Sequence, residues 1–312
     1  MTDLLIPFEH PAWFKPLFAA LDRRDVDYRA IDVTDHRFDP ADMRAPAKVV
    51  LNRVAMSGFL REPEHPIFYA AALLDHWRRS GATVLNGAEV LAIDSSKARQ
   101  LSLVTSLGIA VPETRVVHRV ADLLAATEGM AFPLLVKANI GGSGAGITRF
   151  ASRDELAGAV SAAVAGASVP TSIDQVLLVQ DYVPPRGGTI LRMETLERRF
   201  LYALEIESGG EQFDLCPADA CLATPGRAAL AMRAIEPPPE LVAIAERVVQ
   251  AVGMFVGGIE LVIDDRDGVA RVYDINALSN FVADPLRVLG YDPHDRLVDA
   301  IERRIAAHPE GS

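Results

Sequence analysis

Cysteine is nearly absent from this 312-residue chain, which has only Cys216 and Cys221. Two thiols cannot build a disulfide framework, and their spacing, with no histidine nearby, suits zinc poorly, so both are expected to be free. No stretch reaches the ~18 consecutive apolar residues that a membrane-spanning helix needs. The opening residues Met1 to Pro7 lack the basic region and apolar run of a secretory leader. Positive charge is short: 31 Lys and Arg against 42 Asp and Glu leave a net charge of −11. No basic run interleaves with aromatics, which argues against nucleic acid or an anionic membrane as partner. Any anionic ligand must therefore be met by local positive groups. Internal repeats and low-complexity tracts are also missing. Together these absences predict a reducing, cytoplasmic protein.

What the chain does have is core. Hydrophobic residues make up 50% and charged residues 23%. Single cores stop growing near roughly 250–300 residues, so two or three subdomains are expected. Over residues 1–94, helix patterns at 13–24 and 66–79 alternate with strand patterns at 28–33, 48–52 and 83–85. That alternation predicts a small α/β domain with a parallel sheet. Residues 95–173 read as a second unit, with a helix at 95–107, strands at 113–117, 134–138 and 147–150, and a further helix opened by Ser152 and Glu155 at capping-box spacing. Residues 174–312 read as a third. Its strands lie at 176–183, 189–196 and 199–207, residues 209–238 are irregular, and a helix spans 239–251. A hairpin of 257–263 with 269–276 and a closing helix at 294–306 complete it.

Two charged residues sit inside the apolar strands of that hairpin, Glu260 and Asp274. Side chains alternate along a strand, so Asp274 and Asn276 share a face. If residue 264 closes the hairpin opposite 270, then 262 faces 272 and Glu260 faces Asp274. Opposed, half-buried carboxylates repel unless a cation lies between them, and two carboxylates with an amide oxygen suit magnesium or manganese. The alternative is that Asp274 and Asn276 cap the hairpin end while Glu260 pairs with an arginine such as Arg271.

Upstream, Gly141, Gly142, Ser143, Gly144 and Gly146 form a glycine-rich loop just after Lys137. Such a loop lets backbone amides approach a phosphate. No Gly-Lys-Ser/Thr closes it, and a strand rather than a helix follows, so it is neither a Walker loop nor a dinucleotide fingerprint. It reads as a flap over phosphates, or else as an ordinary glycine hairpin.

Together these residues resemble the ATP-grasp superfamily, especially its ligases that join a carboxylate to an amine, such as ribosomal-protein glutamate ligase, glutathione synthetase and D-alanine–D-alanine ligase. The likeness spans residues 95–280. It implies an α/β and α+β architecture: two α+β subdomains gripping ATP, preceded by the small α/β domain. It further implies ATP with Mg2+ or Mn2+, a small-molecule or peptide carboxylate and an amine as co-substrates, and a homodimer. Residue by residue, it implies that Lys97 and Lys137 contact phosphate and that Gly141 to Gly146 form the flap. Gln180, Asp181, Tyr182 and Val183 would read adenine, and Arg192 would face the γ-phosphate and acyl phosphate. Glu260, Asp274 and Asn276 would hold the metal. Three positions depart from the pattern. Glu and Asp are exchanged between the two metal strands, residues 184–188 offer no acidic ribose ligand, and Ala277 to Phe281, with Ser279, replaces a Pro-Gly-type loop. The resulting expectation is a ligase that forms an acyl phosphate. Its rivals are a kinase acting on a hydroxyl group and a nucleotide-binding regulator without turnover.

Several single residues stay open. Arg53 and Arg61 are either receptors for a substrate carboxylate or surface arginines. Glu194 is placed to meet metal, amine or Arg192. His10 lines a cleft or is a loop histidine.

Overall fold

The structure is a computed structural model that describes residues 2–61, 65–142, 144, 146–164, 172–208 and 231–308. Cys216, Cys221 and Ser143 lie outside the described residues. Three sheets organise it. The first has the order β2-β1-β3-β4, from β1 (Thr2–Phe8), β2 (Tyr28–Asp32), β3 (Ala47–Leu51) and β4 (Thr83–Leu85). All its pairings are parallel. A parallel sheet is covered on both faces, and β1 shows it. Leu4 and Ile6 pack with Leu17, Leu21, Leu297 and Ile301, while Leu5 packs with Ile67, Leu73, Leu74 and Trp77. Residues Leu297 and Ile301 belong to the last helix, Pro293–Ala306. That helix was expected within the third unit, yet it packs against the first sheet. Arg23 and Arg24 fasten it there through Asp295 at 2.8 Å and Asp299 at 2.9 Å.

The second sheet has the order β5-β8-β6-β7, from β5 (Thr114–Val117), β6 (Leu134–Ala138), β7 (Ile147–Phe150) and β8 (Leu177–Asp181). Strand β8 pairs with both β5 and β6. Residues 177–181 therefore belong to the middle sheet, and a unit boundary at 174 would cut that strand from its partners. The helix Arg153–Val164 opens as expected: Glu155 N donates to Ser152 Oγ at 3.2 Å and Ala151 N to Glu155 Oε2 at 2.7 Å.

The third sheet has the order β11-β10-β9-β12-β13, from β9 (Thr189–Leu196), β10 (Arg199–Glu207), β11 (Met232–Ile235), β12 (Val256–Ile263) and β13 (Ala270–Asn276). Strand β11 lies within the stretch expected to be irregular. Of its four residues two are exposed and two half-buried, and they pair at the sheet edge. The back face of the sheet, with Leu191, Met193, Ile259, Leu261, Val272 and Ile275, packs on the helix Pro239–Val252. On the front face, Ile190, Leu204, Ile206, Val256 and Val262 join the core that contains Leu4 and Leu17 of the first domain. No helix among the described residues is long and apolar enough to cross a membrane.

Candidate active site

The front face is set by period-2 alternation. With Leu191, Met193, Ile259 and Leu261 on the back, Arg192, Glu194, Gly258 and Glu260 must face front. Glu260 lies opposite Arg192 on one side and Asp274 on the other. The hairpin reaches that pairing by another path than expected. Ile263 faces Ala270 and Leu261 faces Val272, one step off the expected closure, and a bulge between Glu260 and Leu261 then restores Glu260 against Asp274. The back-face residues Val272 and Ile275 are three apart rather than two, so Tyr273 is the extra residue. Bulging turns Tyr273 toward the front, where its hydroxyl donates to Glu260.

The ionic groups of this face interlock. Arg192 Nε donates to Glu194 Oε1 at 2.6 Å, and Arg192 Nη1 to Glu260 Oε1 at 2.9 Å. Asn276 Nδ2 reaches the same Glu260 oxygen at 3.3 Å. Lys97 Nζ donates to Asp274 Oδ1 at 2.6 Å. Burial raises the Glu260 pKa, with Asp274 adding to the rise and Arg192 opposing it. Burial disfavours charge on Arg192, but Glu194 and Glu260 outweigh it and hold the guanidinium firmly protonated. Arg271, the alternative partner for Glu260, is bound instead to Asp267 at 2.6 Å.

Lys97 is the first residue of the helix Lys97–Ser106, capped by Ser96. A cation is disfavoured at a helix N-terminus and an anion favoured, so this lysine does not serve the helix. Its partner Asp274 comes from β13, 177 residues away. Lys137 enters from β6 on the middle sheet, its ammonium 5.6 Å from the centre of the Tyr273 ring. Burial, then the Lys97 charge, lowers its pKa to about 8, against the pull of Asp274 and Glu260. Two lysines, an arginine and two carboxylates thus converge from five elements.

The flap follows Lys137. Ala138 N donates to Gly146 O at 2.8 Å, and Gly146 has φ 74° with Ala138 Cβ 2.7 Å from where its own Cβ would stand. Only glycine fits there. Gly142 lies against the N-terminal domain, where an added Cβ would meet Ser57 Cβ at 2.6 Å. Gly141 is buried beside it.

The expected adenine strand is brought to the same cleft with different side-chain roles. Gln180 is buried and donates to Thr114 Oγ1 at 2.9 Å. Asp181 is held by Arg266, whose Nη1 lies at 3.1 Å and Nη2 at 2.5 Å, and Arg266 also grips the buried Asp264. Arg149 stacks over the Tyr182 ring at 4.7 Å. Val183 is buried in the core. Side-chain contact of Asp181 with a base would therefore compete with an ion pair.

Sequence reasoning missed the frame. Asn86 donates to Val256 O and Ala277 O at 2.6 and 2.7 Å and accepts from Phe255 N at 2.7 Å. Gln100 exchanges bonds with Ile275 at 2.9 and 3.1 Å. Asp94 accepts from Ala277 N at 2.7 Å, and burial raises its pKa to about 7. Asn139 accepts from Ala98 N at 2.9 Å, tying the flap base to the Lys97 helix. Gly258 leaves room for the Arg192–Glu194 pair, since a Cβ there would lie 3.0 Å from Glu194 Oε1. Only Gly258, in an otherwise apolar strand, carried a sequence signal.

Among the described residues no three of His, Cys, Asp and Glu converge as a ready-made metal cage. The oxygen set of Glu260, Asp274 and Asn276 nonetheless suits a hard divalent ion, and its carboxylates are neutralised here by Lys97 and Arg192. Paired lysines, a glycine-rich loop and an acidic hairpin are thus brought together, the groups that a metal–nucleotide site needs. Comparison with known proteins agrees. Residues 94–186 match the family model of the carbamoyl-phosphate synthase L chain ATP-binding domain. A probable alpha-L-glutamate ligase of Thioalkalivibrio sulfidiphilus (strain HL-EbGR7) is 25% identical over 244 residues, 77% of this chain and 74% of that one. Another, from Azotobacter vinelandii (strain DJ / ATCC BAA-1303), is 26% identical over 197 residues, 62% of this chain and 60% of that one. The structure of the ATP-grasp ligase PsnB complexed with its minimal precursor superposes with a TM-score of 0.70 at 17% identity, over 97% of this chain and 100% of that one. The same ligase with a phosphomimetic variant of that precursor, Mg and ADP also gives 0.70, at 16% identity over 98% and 100%. The chain thus has the fold of the ATP-grasp ligases and is similar in sequence to probable alpha-L-glutamate ligases.

Proposed function

We propose that this enzyme activates a small-molecule or peptide carboxylate as an acyl phosphate and passes the acyl group to an amine. The reading rests on the shared row Arg192–Glu260–Asp274, with Lys97 bonded to its end. When bound, Mg2+ supplies charge neutralisation at the β- and γ-phosphates, and Glu260, Asp274 and Asn276 are the residues that would hold it. Lys97, Lys137 and Arg192 bind the phosphate oxygens. A carboxylate oxygen attacks the γ-phosphorus, the bond to the bridging β-oxygen breaks, and ADP leaves. The amine nitrogen then attacks the acyl carbon and loses a proton, and phosphate departs. Arg192 stabilises charge that grows in both steps. The flap on Ser57 keeps water from the acyl phosphate. The relatives' names make L-glutamate the first amine to test.

The test is incubation with ATP, Mg2+, hydroxylamine and a carboxylate library. Carboxylate-dependent ADP release with hydroxamate formation is expected. A phosphorylated alcohol without hydroxamate would replace this reading with a kinase.

A further inference from the structure

Strand β13 carries Asp274 and Asn276 and is the outer strand of its sheet. In an antiparallel pair a residue turns its N–H and C=O to the same side. Ile275, between the two candidate metal ligands, turns both away from β12, and so does Ala277 just beyond them. Among the described residues no strand pairs with that side, yet buried backbone groups have to be met.

Side chains meet them instead. Gln100, 1% exposed, accepts from Ile275 N at 3.1 Å and donates to Ile275 O at 2.9 Å, as a neighbouring strand would. Its amide nitrogen also donates to Asp94 O at 3.0 Å. Ala277 N donates to Asp94 Oδ1 at 2.7 Å, and Ala277 O accepts from Asn86 Nδ2 at 2.7 Å. Two residues on, Ser279 O accepts from Arg53 Nη2. Each of these side chains comes from the chain ahead of the glycine-rich loop.

Gln100 differs from the others in where it stands. It lies one turn after Lys97 on the same helix, so the two share a face. Lys97 binds the side chain of Asp274, and Gln100 binds the backbone of the next residue. Packing alone does not call for a carboxamide here, since the next turn of the helix packs against the same sheet with Val104, also 1% exposed. A phosphate that drew Lys97 away would free the Asp274 carboxylate and leave both Gln100–Ile275 bonds untouched. The backbone that carries Asp274 and Asn276 would then stay where it was, beside the ammonium that had moved to the phosphate.

We propose that Gln100 is a positioning residue: it holds β13 in register with the Lys97 helix, so that Lys97 at a phosphate and Asp274 and Asn276 at Mg2+ engage one nucleotide together. The proposal rests on the metal–nucleotide part of the reading above. Gln100 acts through Ile275 rather than on the ligand.

The experiment titrates Mg2+ and ADP calorimetrically, each alone and each in the presence of the other. The proteins are the unaltered chain, Gln100→Met, which keeps the shape and removes the bonds, and Val104→Ala, which loosens the same helix and leaves the bonds. Gln100→Met binds ADP alone as the unaltered protein does, but binds Mg2+ in the ADP complex about tenfold or more weakly, and ADP loses the same factor from its gain with Mg2+. Val104→Ala loses thermal stability and keeps the mutual gain. An undiminished gain in Gln100→Met, or an equal loss of gain in Val104→Ala, overturns the proposal. Amide hydrogen exchange in the unaltered, ligand-free protein decides without any variant: the Ile275 amide, whose acceptor is Gln100, exchanges as slowly as amides inside the sheet, and exchange as fast as at an open edge overturns the proposal. A gain abolished by Asp274→Asn but intact in Gln100→Met removes this proposal alone. No mutual gain in the unaltered protein removes the metal–nucleotide reading and this proposal with it. A failed hydroxamate assay with the gain intact removes the ligase chemistry alone.

Discussion

Two regions of the cleft bury charge in opposite ways. On the front face of β9, β12 and β13, Arg192 bridges Glu194 and Glu260 at 2.6 and 2.9 Å, and Lys97, from its helix, binds Asp274 at 2.6 Å. On the loops of the N-terminal domain, Arg53 is buried and Arg61 and His10 are half-buried, each with a buried side-chain atom that meets no partner. The difference follows from what each region awaits. Under the proposed function the strand face binds phosphates and a cation, which arrive together and with opposite charge, so its own cations and carboxylates can neutralise each other beforehand. MgATP would then exchange partners: phosphates would take Lys97 and Arg192, and the carboxylates would be released to the metal. Under the proposed function the loop region would await a substrate, and groups that satisfied one another could not bind one.

The largest expected effect is on the wired face. Arg192→Lys keeps the charge but loses the fork that spans Glu194 and Glu260. The chemical step should slow about a hundredfold or more, ~3 kcal/mol, in single-turnover ADP formation at saturating ATP. An unaltered rate would show that the pairing is structural only.

Next is the frame. The Asp94 pKa, raised to about 7 by burial, lies above the ordinary carboxylate value near 3.9. A raised folded pKa means the native state prefers the protonated form. The associated stability is present below about pH 4 and is lost as pH rises toward 7. Asp94→Asn should remove that loss and gain about 1–3 kcal/mol at pH 8 in urea melts, with little change at pH 4. A gain of equal size at both values would contradict the burial argument.

A smaller effect tests the contact between the regions. A methyl group at Gly142 would collide with Ser57 Cβ, so Gly142→Ala should hold the flap open. ADP released per amide formed should then rise several-fold as water reaches the acyl phosphate. Ser57→Gly in the same protein should restore coupling; failure to do so would place the defect elsewhere.

The smallest is a pH limb. With a free-protein pKa of about 8, Lys137 is an ammonium below that pH and neutral above it. Since kcat/KM reports the free enzyme, kcat/KM for ATP should fall a few-fold as pH rises past about 8. Lys137→Arg should flatten the limb, and a limb that survives that change belongs to another group.

Much of this was legible in the sequence because apolar alternation is strong where both sheet faces are buried. The hairpin strands lay within a residue or two of their observed bounds, and Glu260 against Asp274 was correct. The bulge at Tyr273 was not foreseen, although Val272 and Ile275 at a spacing of three hinted at it. Strand β11 escaped because its four edge residues, two exposed and two half-buried, carry no alternation signal. The brackets at Asn86, Asp94 and Gln100 could not be read, since their partners lie 169–191 residues away and nothing local distinguishes them from surface polar groups. Asp181 looked like a base reader because its strand was placed correctly, while its capture by Arg266 depends on a turn from another sheet. Arg53 and Glu194 were visible as residues, but their unmet atoms appear only once the chain is folded.

The partner exchange on the strand face is tested most directly by titrating the protein with Mg2+ alone, ADP alone and both, in the natural protein and in Asp274→Asn. Because Lys97 and Arg192 already neutralise the carboxylates, Mg2+ alone should bind weakly. It should bind at least about tenfold more tightly with ADP present, ADP should gain by the same factor from Mg2+, and Asp274→Asn should abolish this mutual gain. Tight Mg2+ binding without nucleotide, or an undiminished gain in Asp274→Asn, would contradict the account.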